Sequence, residues 1–313
     1  MGLPLWACKQ RIGVVTLIVT LIVTLCVANR EGDSGSINSI TRLSSKGSIP
    51  MPYANSRGVR IHYELEGQGA PLVLQYGQYF PLDIWYELNY VAALKEHYQL
   101  VLVDARGHGD SDKPDDPTAY GLDLMANDIV AVLDHLGIEK THYMGYSSGA
   151  LIGFGVLKYS PERLHSLIAG GGHPYNVHAE RAAWCADQIQ LFERERTEDF
   201  VARLEGYIAE LQLPPLSGRM RARLLTHEPR ALMAWLRQYP AWPSFEDILS
   251  QIAVPCLLYI GEHDGLAPMQ SAAKAIPDAS LVVIPDGGHL EGGTWVSLLR
   301  PHITQLLERV DHS

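Results

Sequence analysis

Thr141-His142-Tyr143-Met144-Gly145-Tyr146-Ser147-Ser148-Gly149, continued by Ala150-Leu151-Ile152-Gly153-Phe154-Gly155-Val156-Leu157-Lys158-Tyr159, decides how this chain is read. Thr141–Gly145 has the short apolar character of a buried strand, and Ser148–Tyr159 carries a helical pattern. Strand, tight turn and helix in that order are the setting of the Gly-x-Ser-x-Gly nucleophile elbow. Side chains crowd such a turn, so glycine is required on both sides of the serine. The Ser147 hydroxyl then stands over the sheet at a helix N-terminus, where the dipole favours developing negative charge. A glycine-rich turn alone is common; the strand before it and the helix after it are what point to catalysis.

A serine hydroxyl is a poor nucleophile at its own pKa and needs a base and an orienting acid. In this motif they follow the serine in the order acid, histidine. After the strand Pro255–Gly261 comes Glu262-His263-Asp264. After the strand Ser280–Ile284 comes Pro285-Asp286-Gly287-Gly288-His289. Asp264 and His289 each follow a core strand by a few residues, which places them on loops at the edge that carries Ser147. A lone loop aspartate is usually a turn residue and a lone histidine a surface or core group. In this order on consecutive strands, Ser147, Asp264 and His289 form a specific catalytic set. Glu262 and Asp286 are the alternative acids.

Further out, Val59, Ile61, Tyr63 and Leu65 alternate with polar residues, the mark of a half-buried antiparallel strand. Pro71–Gln75, Gln99–Asp104 and Leu164–Ala169 add continuous apolar strands, and Leu122–Leu136 another helical pattern. Continuous apolar strands separated by helices imply an α/β fold with a mostly parallel, doubly wound sheet covered on both faces. Residues 174–245 show no strand signal. Their helical patterns, near Ala179–Arg194, Glu198–Leu211, Gly218–Thr226 and Pro229–Gln238, read as an insertion at the C-terminal edge of the sheet, where ligands bind in open α/β folds. The expected organisation is a leader and linker over 1–50, a core over 51–173 and 246–313, and a helical insertion over 174–245.

With these motifs in place, the body resembles the α/β-hydrolase superfamily over nearly all of residues 51–313, and the insertion resembles that family's cap. Asp104-Ala105-Arg106-Gly107-His108-Gly109-Asp110-Ser111 is similar to the family's loop after its fourth strand, with Asp104 and Arg106 as structural polar partners. The resemblance implies an eight-stranded sheet and an oxyanion hole built from the backbone amides of Ser148 and Gln78. Relatives carry His-Gly in the second oxyanion segment; this chain has Tyr76-Gly77-Gln78. Serine rather than aspartate at the elbow argues against the dehalogenase and epoxide-hydrolase branches. Tyr76, Tyr79, Trp184 and Trp235 are the expected lining of an apolar, aromatic pocket. The expected activity is cleavage of a small to medium carboxylic ester or lactone through an acyl-enzyme, without a cofactor. The same triad serves cofactor-free haloperoxidases, C–C hydrolases and acyltransferases, and a ligand receptor on this fold is the non-enzymatic alternative.

Composition sets the remaining bounds. The chain has 313 residues and a formal charge of −10. Residues 1–50 hold five Lys and Arg against two acids, leaving 20 basic and 33 acidic residues in the body, a net of −13. Such a body is a poor nucleic-acid partner. Four cysteines form neither a disulfide scaffold nor a zinc ribbon, and no metal-ligand spacing is evident around His108, His173 or His263. Lys9 and Arg11 precede the uncharged run Ile12–Ala28, about 25 Å as a helix. Three readings of this leader stand: a signal anchor, a signal cleaved near Ala28, or translation that begins at Met51. The first two make the protein membrane-anchored or secreted, with membrane contact only through the leader; the third makes it cytoplasmic. The expected partner is a small-molecule ester or lactone, and the oligomeric state is left open.

Overall fold

The computed structural model describes residues 52–313 except 176–177, 195, 291–293 and 313; the leader expected over 1–50 lies outside the described residues. Among the described residues, eight strands form one sheet in the order β1-β2-β4-β3-β5-β6-β7-β8. They are β1 Tyr53–Ser56, β2 Val59–Glu66, β3 Ala70–Gln75, β4 Tyr98–Val103, β5 Thr141–Tyr146, β6 Leu164–Gly170, β7 Cys256–Gly261 and β8 Ala279–Ile284. β2 is antiparallel to β1 and β4, and every pairing from β4 through β8 is parallel. The mostly parallel α/β sheet expected from the apolar strands is therefore present. All six residues of β5 and of β7 are buried, as strands covered on both faces require.

The α-helices among the described residues are α1 Ile84–Glu87, α2 Tyr90–Leu94, α3 Leu122–Leu136, α4 Ser148–Tyr159, α5 His178–Arg194, α6 Thr197–Glu210, α7 Gly218–Leu224, α8 Pro229–Gln238, α9 Glu246–Leu249, α10 Leu266–Ala275 and α11 Val296–Asp311. α4 is buried from Ser148 to Leu157, so the helix behind the elbow is a core element on every side and gives Ser147 a rigid footing. α5 to α8 occupy the interval between β6 and β7, each within two residues of its expected span. No described helix is long and apolar enough to cross a membrane.

Two features depart from the pattern reading. β1 carries too few apolar residues to be seen as a strand; it exists because β2 offers it an edge. His62 falls on the polar phase of β2 yet is buried. Its Nδ1 lies 2.8 Å from Asp104, whose other oxygen accepts from the Leu82 amide at 2.7 Å. Asp104 and Arg106 act as the structural partners expected: Arg106 holds Asp128 at 2.7 Å through Nε, with both side chains buried. Such a pair is an anchor between the β4 loop and α3, since removal of either partner strands a buried charge.

Candidate active site

β5 ends at Tyr146 and α4 starts at Ser148, so the whole change of direction falls on Ser147. Its backbone sits at φ +57° and ψ −123°, a conformation that non-glycine residues adopt only when the surroundings impose it. The Ser147 amide donates to the Gly170 carbonyl at 2.7 Å, and its carbonyl accepts from Ala150 at 3.0 Å. The flanking glycines are required by contact: a Cβ at Gly145 would stand 2.4 Å from the Gly149 oxygen, and one at Gly149 would stand 2.3 Å from the Gln75 oxygen.

Asp264 and His289 converge on this turn from the loops after β7 and β8. His289 Nδ1 lies 2.7 Å from Asp264 Oδ2, and Nε2 lies 3.0 Å from Ser147 Oγ. The arrangement that fits is a chain of donors: the serine hydroxyl donates to Nε2, and Nδ1–H donates to the carboxylate. The other acids stand apart from the imidazole. Glu262 accepts from the Asp286 amide at 3.2 Å, and Asp286 faces His263 at 3.9 Å.

The segment after β3 is pressed against the elbow. A Cβ at Gly77 would stand 2.6 Å from Ser147 Cβ and 3.1 Å from Ser147 Oγ. Gln78 and Ser148, the expected amide donors, both line the cavity above Ser147. Tyr76, where relatives carry histidine, is buried and stacked on Tyr146 with ring centres 5.2 Å apart.

The cavity has a volume of about 850 Å³, within the range of small-molecule sites. Tyr76, Tyr79 and Trp184 line it. Trp235 does not: it is buried one layer back, stacked on Tyr239 at 4.2 Å, and Tyr239 supplies the wall. The sequence placed Trp235 in the insertion, but which ring of the stacked Trp235–Tyr239 pair meets the cavity is decided by packing.

Several site residues had no sequence signal. Tyr146, the variable residue of the elbow, donates its hydroxyl to the His289 carbonyl at 2.6 Å and ties the loop of His289 to the strand that leads into Ser147. His227 on the insertion lies with Nε2 2.6 Å from the Tyr79 carbonyl. A carbonyl only accepts, so Nε2 carries the proton and Nδ1 is a buried lone pair without a partner. Burial, reinforced by neighbouring His108, pushes the His227 pKa down to about 3. His227 is thus a neutral clamp on Tyr79, which holds φ +74° directly after Gln78. His173 also lines the cavity, its pKa lowered by burial and then by the charge of Arg181.

Among the described residues, two clusters bring three potential metal-ligand atoms together: His62, Asp104 and Asp110, and the exposed Glu262, His263 and Asp286. The first is occupied by protein cations, with Arg223 2.9 Å from Asp110 and 3.6 Å from Asp104. Cys185 and Cys256 are buried free thiols, raised by burial to about 11 and about 12, and therefore protonated.

Comparison with known proteins agrees with this architecture. Residues 70–291 match the family model described as alpha/beta hydrolase fold. The chain is 29% identical to the pimeloyl-[acyl-carrier protein] methyl ester esterase of Aeromonas salmonicida, covering 73% of this chain and 92% of that one. Among solved structures it resembles the enol-lactonase of Burkholderia xenovorans, with TM-score 0.68 and 21% identity over 82% of this chain and all of that chain. It also resembles a bromoperoxidase of Bacillus anthracis, with TM-score 0.66 and 21% identity over 82% and 99% of the two chains.

Proposed function

The chain belongs to the alpha/beta hydrolase fold family, and from that premise we propose that it is a serine hydrolase of small to medium carboxylic esters or lactones. The observation that carries the reading is the unbroken Ser147–His289–Asp264 chain, at 3.0 and 2.7 Å, opening into one cavity. In the first step Ser147 Oγ bonds to the substrate carbonyl carbon while its proton passes to His289 Nε2. Asp264 keeps the tautomer and stabilises the imidazolium. The Gln78 and Ser148 amides hold the oxyanion. The carbonyl–oxygen bond to the leaving alcohol then breaks as Nε2 returns the proton. Water attacks the resulting acyl-serine with His289 again as base, releasing acid and free Ser147. The His289 side chain is 43% exposed and that of Asp264 17%, so the base is open to substrate and water while its partner is screened.

Turnover of p-nitrophenyl butyrate, with fluorophosphonate labelling of Ser147, tests this reading. Ser147→Ala should lose both labelling and at least ~10⁴-fold in kcat. A Ser147→Ala protein at the wild-type rate overturns it. Labelling without turnover of any ester supports the receptor alternative. For the leader we propose a signal or anchor that carries the body outward; a native N-terminus at Met51 in soluble extract refutes that.

A further inference from the structure

Arg181 on α5 forms part of the wall of the cavity that holds Ser147 and His289. Only 9% of its surface is exposed. Buried or half-buried arginines elsewhere meet acids: Arg106 pairs with Asp128, and Arg223 with Asp83 and Asp110. Arg181 has no such partner. Among the described residues no carboxylate lies within ion-pair distance of it, and its contact is with a ring, the guanidinium carbon standing 4.5 Å from the Tyr239 centroid. The cation–π contact offsets a fraction of the desolvation of a buried charge, and an anion is what completes the remainder. The guanidinium nitrogens are not sealed among the buried unpartnered atoms, so their donors keep access to open space.

The shape of the Arg181 guanidinium points to the class of anion. Among the described residues of the wall, Arg181 and Arg203 are matched in number by Glu210 and Asp264. Asp264 is already committed to His289 at 2.7 Å. Arg203, on α6, stands over the Phe200 ring at 5.6 Å. Arg181 presents a planar fork without a carboxylate partner among the described residues, a geometry that suits a carboxylate bidentately.

Resting on the reading of Ser147 as the nucleophile toward an ester or lactone, we propose that Arg181 docks a carboxylate carried by the substrate, so that the natural substrate is an anionic ester or lactone. The cavity joins Arg181 and Ser147, and the carboxylate is a recognition handle separate from the acyl carbon that reacts.

The test compares hydrolysis of the mono-p-nitrophenyl ester of adipic acid with that of p-nitrophenyl hexanoate by the full chain. The two acyl chains have equal length and differ by one charge. The wild type should favour the anionic ester in kcat/KM by roughly 10- to 100-fold, chiefly through KM. Arg181→Met should bring the ratio near one, and Arg181→Lys should keep part of it. The ratio cancels differences in folded fraction. A wild-type ratio of one or less, or an equal ratio in Arg181→Met, overturns the carboxylate site and leaves the ester reading intact. Calorimetric titration with adipate reads the site without turnover. Binding to the wild type and not to Arg181→Met supports the carboxylate site even if neither ester is cleaved, and absence of adipate binding overturns it.

Discussion

Gly77→Ala isolates the proposed oxyanion segment from the triad. The added Cβ would stand 2.6 Å from Ser147 Cβ, 3.0 Å from the Tyr146 carbonyl and 3.1 Å from Ser147 Oγ. Ordinary carbon contacts begin near ~3.5 Å, so about 1 Å has to be found. The elbow cannot supply it. Ser147 is tied through its amide to Gly170, and Tyr146 is buried between Tyr76 and Tyr259. The segment after β3 must move instead, and the Gln78 amide moves with it. A displacement of about 1 Å costs on the order of 10²-fold in rate, similar to the loss of one oxyanion donor. Overpacking should cost about 1–3 kcal/mol of stability. The assay is kcat for p-nitrophenyl butyrate, with the fluorophosphonate labelling rate and urea unfolding measured on the same preparations. Gly218→Ala is the control, because nothing lies within 4 Å of a Cβ there; its stability should stay within about 0.5 kcal/mol of wild type. A Gly77→Ala protein with wild-type kcat and unchanged stability would refute the placement of this loop against Ser147.

Asp264→Asn should lower kcat by on the order of 10³–10⁴-fold through the wrong imidazole tautomer, whereas Glu262→Gln should stay within about twofold; equal effects of the two in the ester assay would make the choice of acid wrong. Acid should weaken the fold partly through His227. Its folded pKa is about 3 against an ordinary value near ~6.5, so between those values the unfolded chain binds the extra proton. Stability from this group is complete above the unfolded value and is lost as pH falls toward the folded one. Lowering pH from 7 to 5 should remove about 2 kcal/mol by linkage. His227→Phe should lose that part of the slope in urea titrations, together with the support of the Tyr79 carbonyl; a variant with the same acid slope as wild type contradicts the assignment.

The patterns that could be read from the chain are the local ones. The apolar runs of β3 to β8, the helices between them and the elbow are written in contiguous residues whose period and punctuation depend on nearby neighbours. β1 and the buried phase of His62 were not legible, because a short strand and a polar residue in the core each depend on a distant partner, β2 in one case and Asp104 in the other. The same distinction separates Trp235 from Tyr239: both sit on one aromatic stretch, and packing alone decides which ring faces the cavity.

By itself, then, the sequence determined the α/β architecture and the order of Ser147, Asp264 and His289, because strand–turn–helix chemistry and chain order are properties of short segments. Only the tertiary structure decided how these groups meet and what surrounds them. Ser147 and His289 lie 142 residues apart and 3.0 Å from each other. The clamp of His227 on Tyr79 joins residues 148 apart in the chain. The unpaired charge of Arg181 is a property of its surroundings as well, since any arginine reads alike in a helical stretch. Whether it is solvated, paired or waiting for an anion depends on which carboxylates the fold brings near it, and here the fold brings none within reach among the described residues.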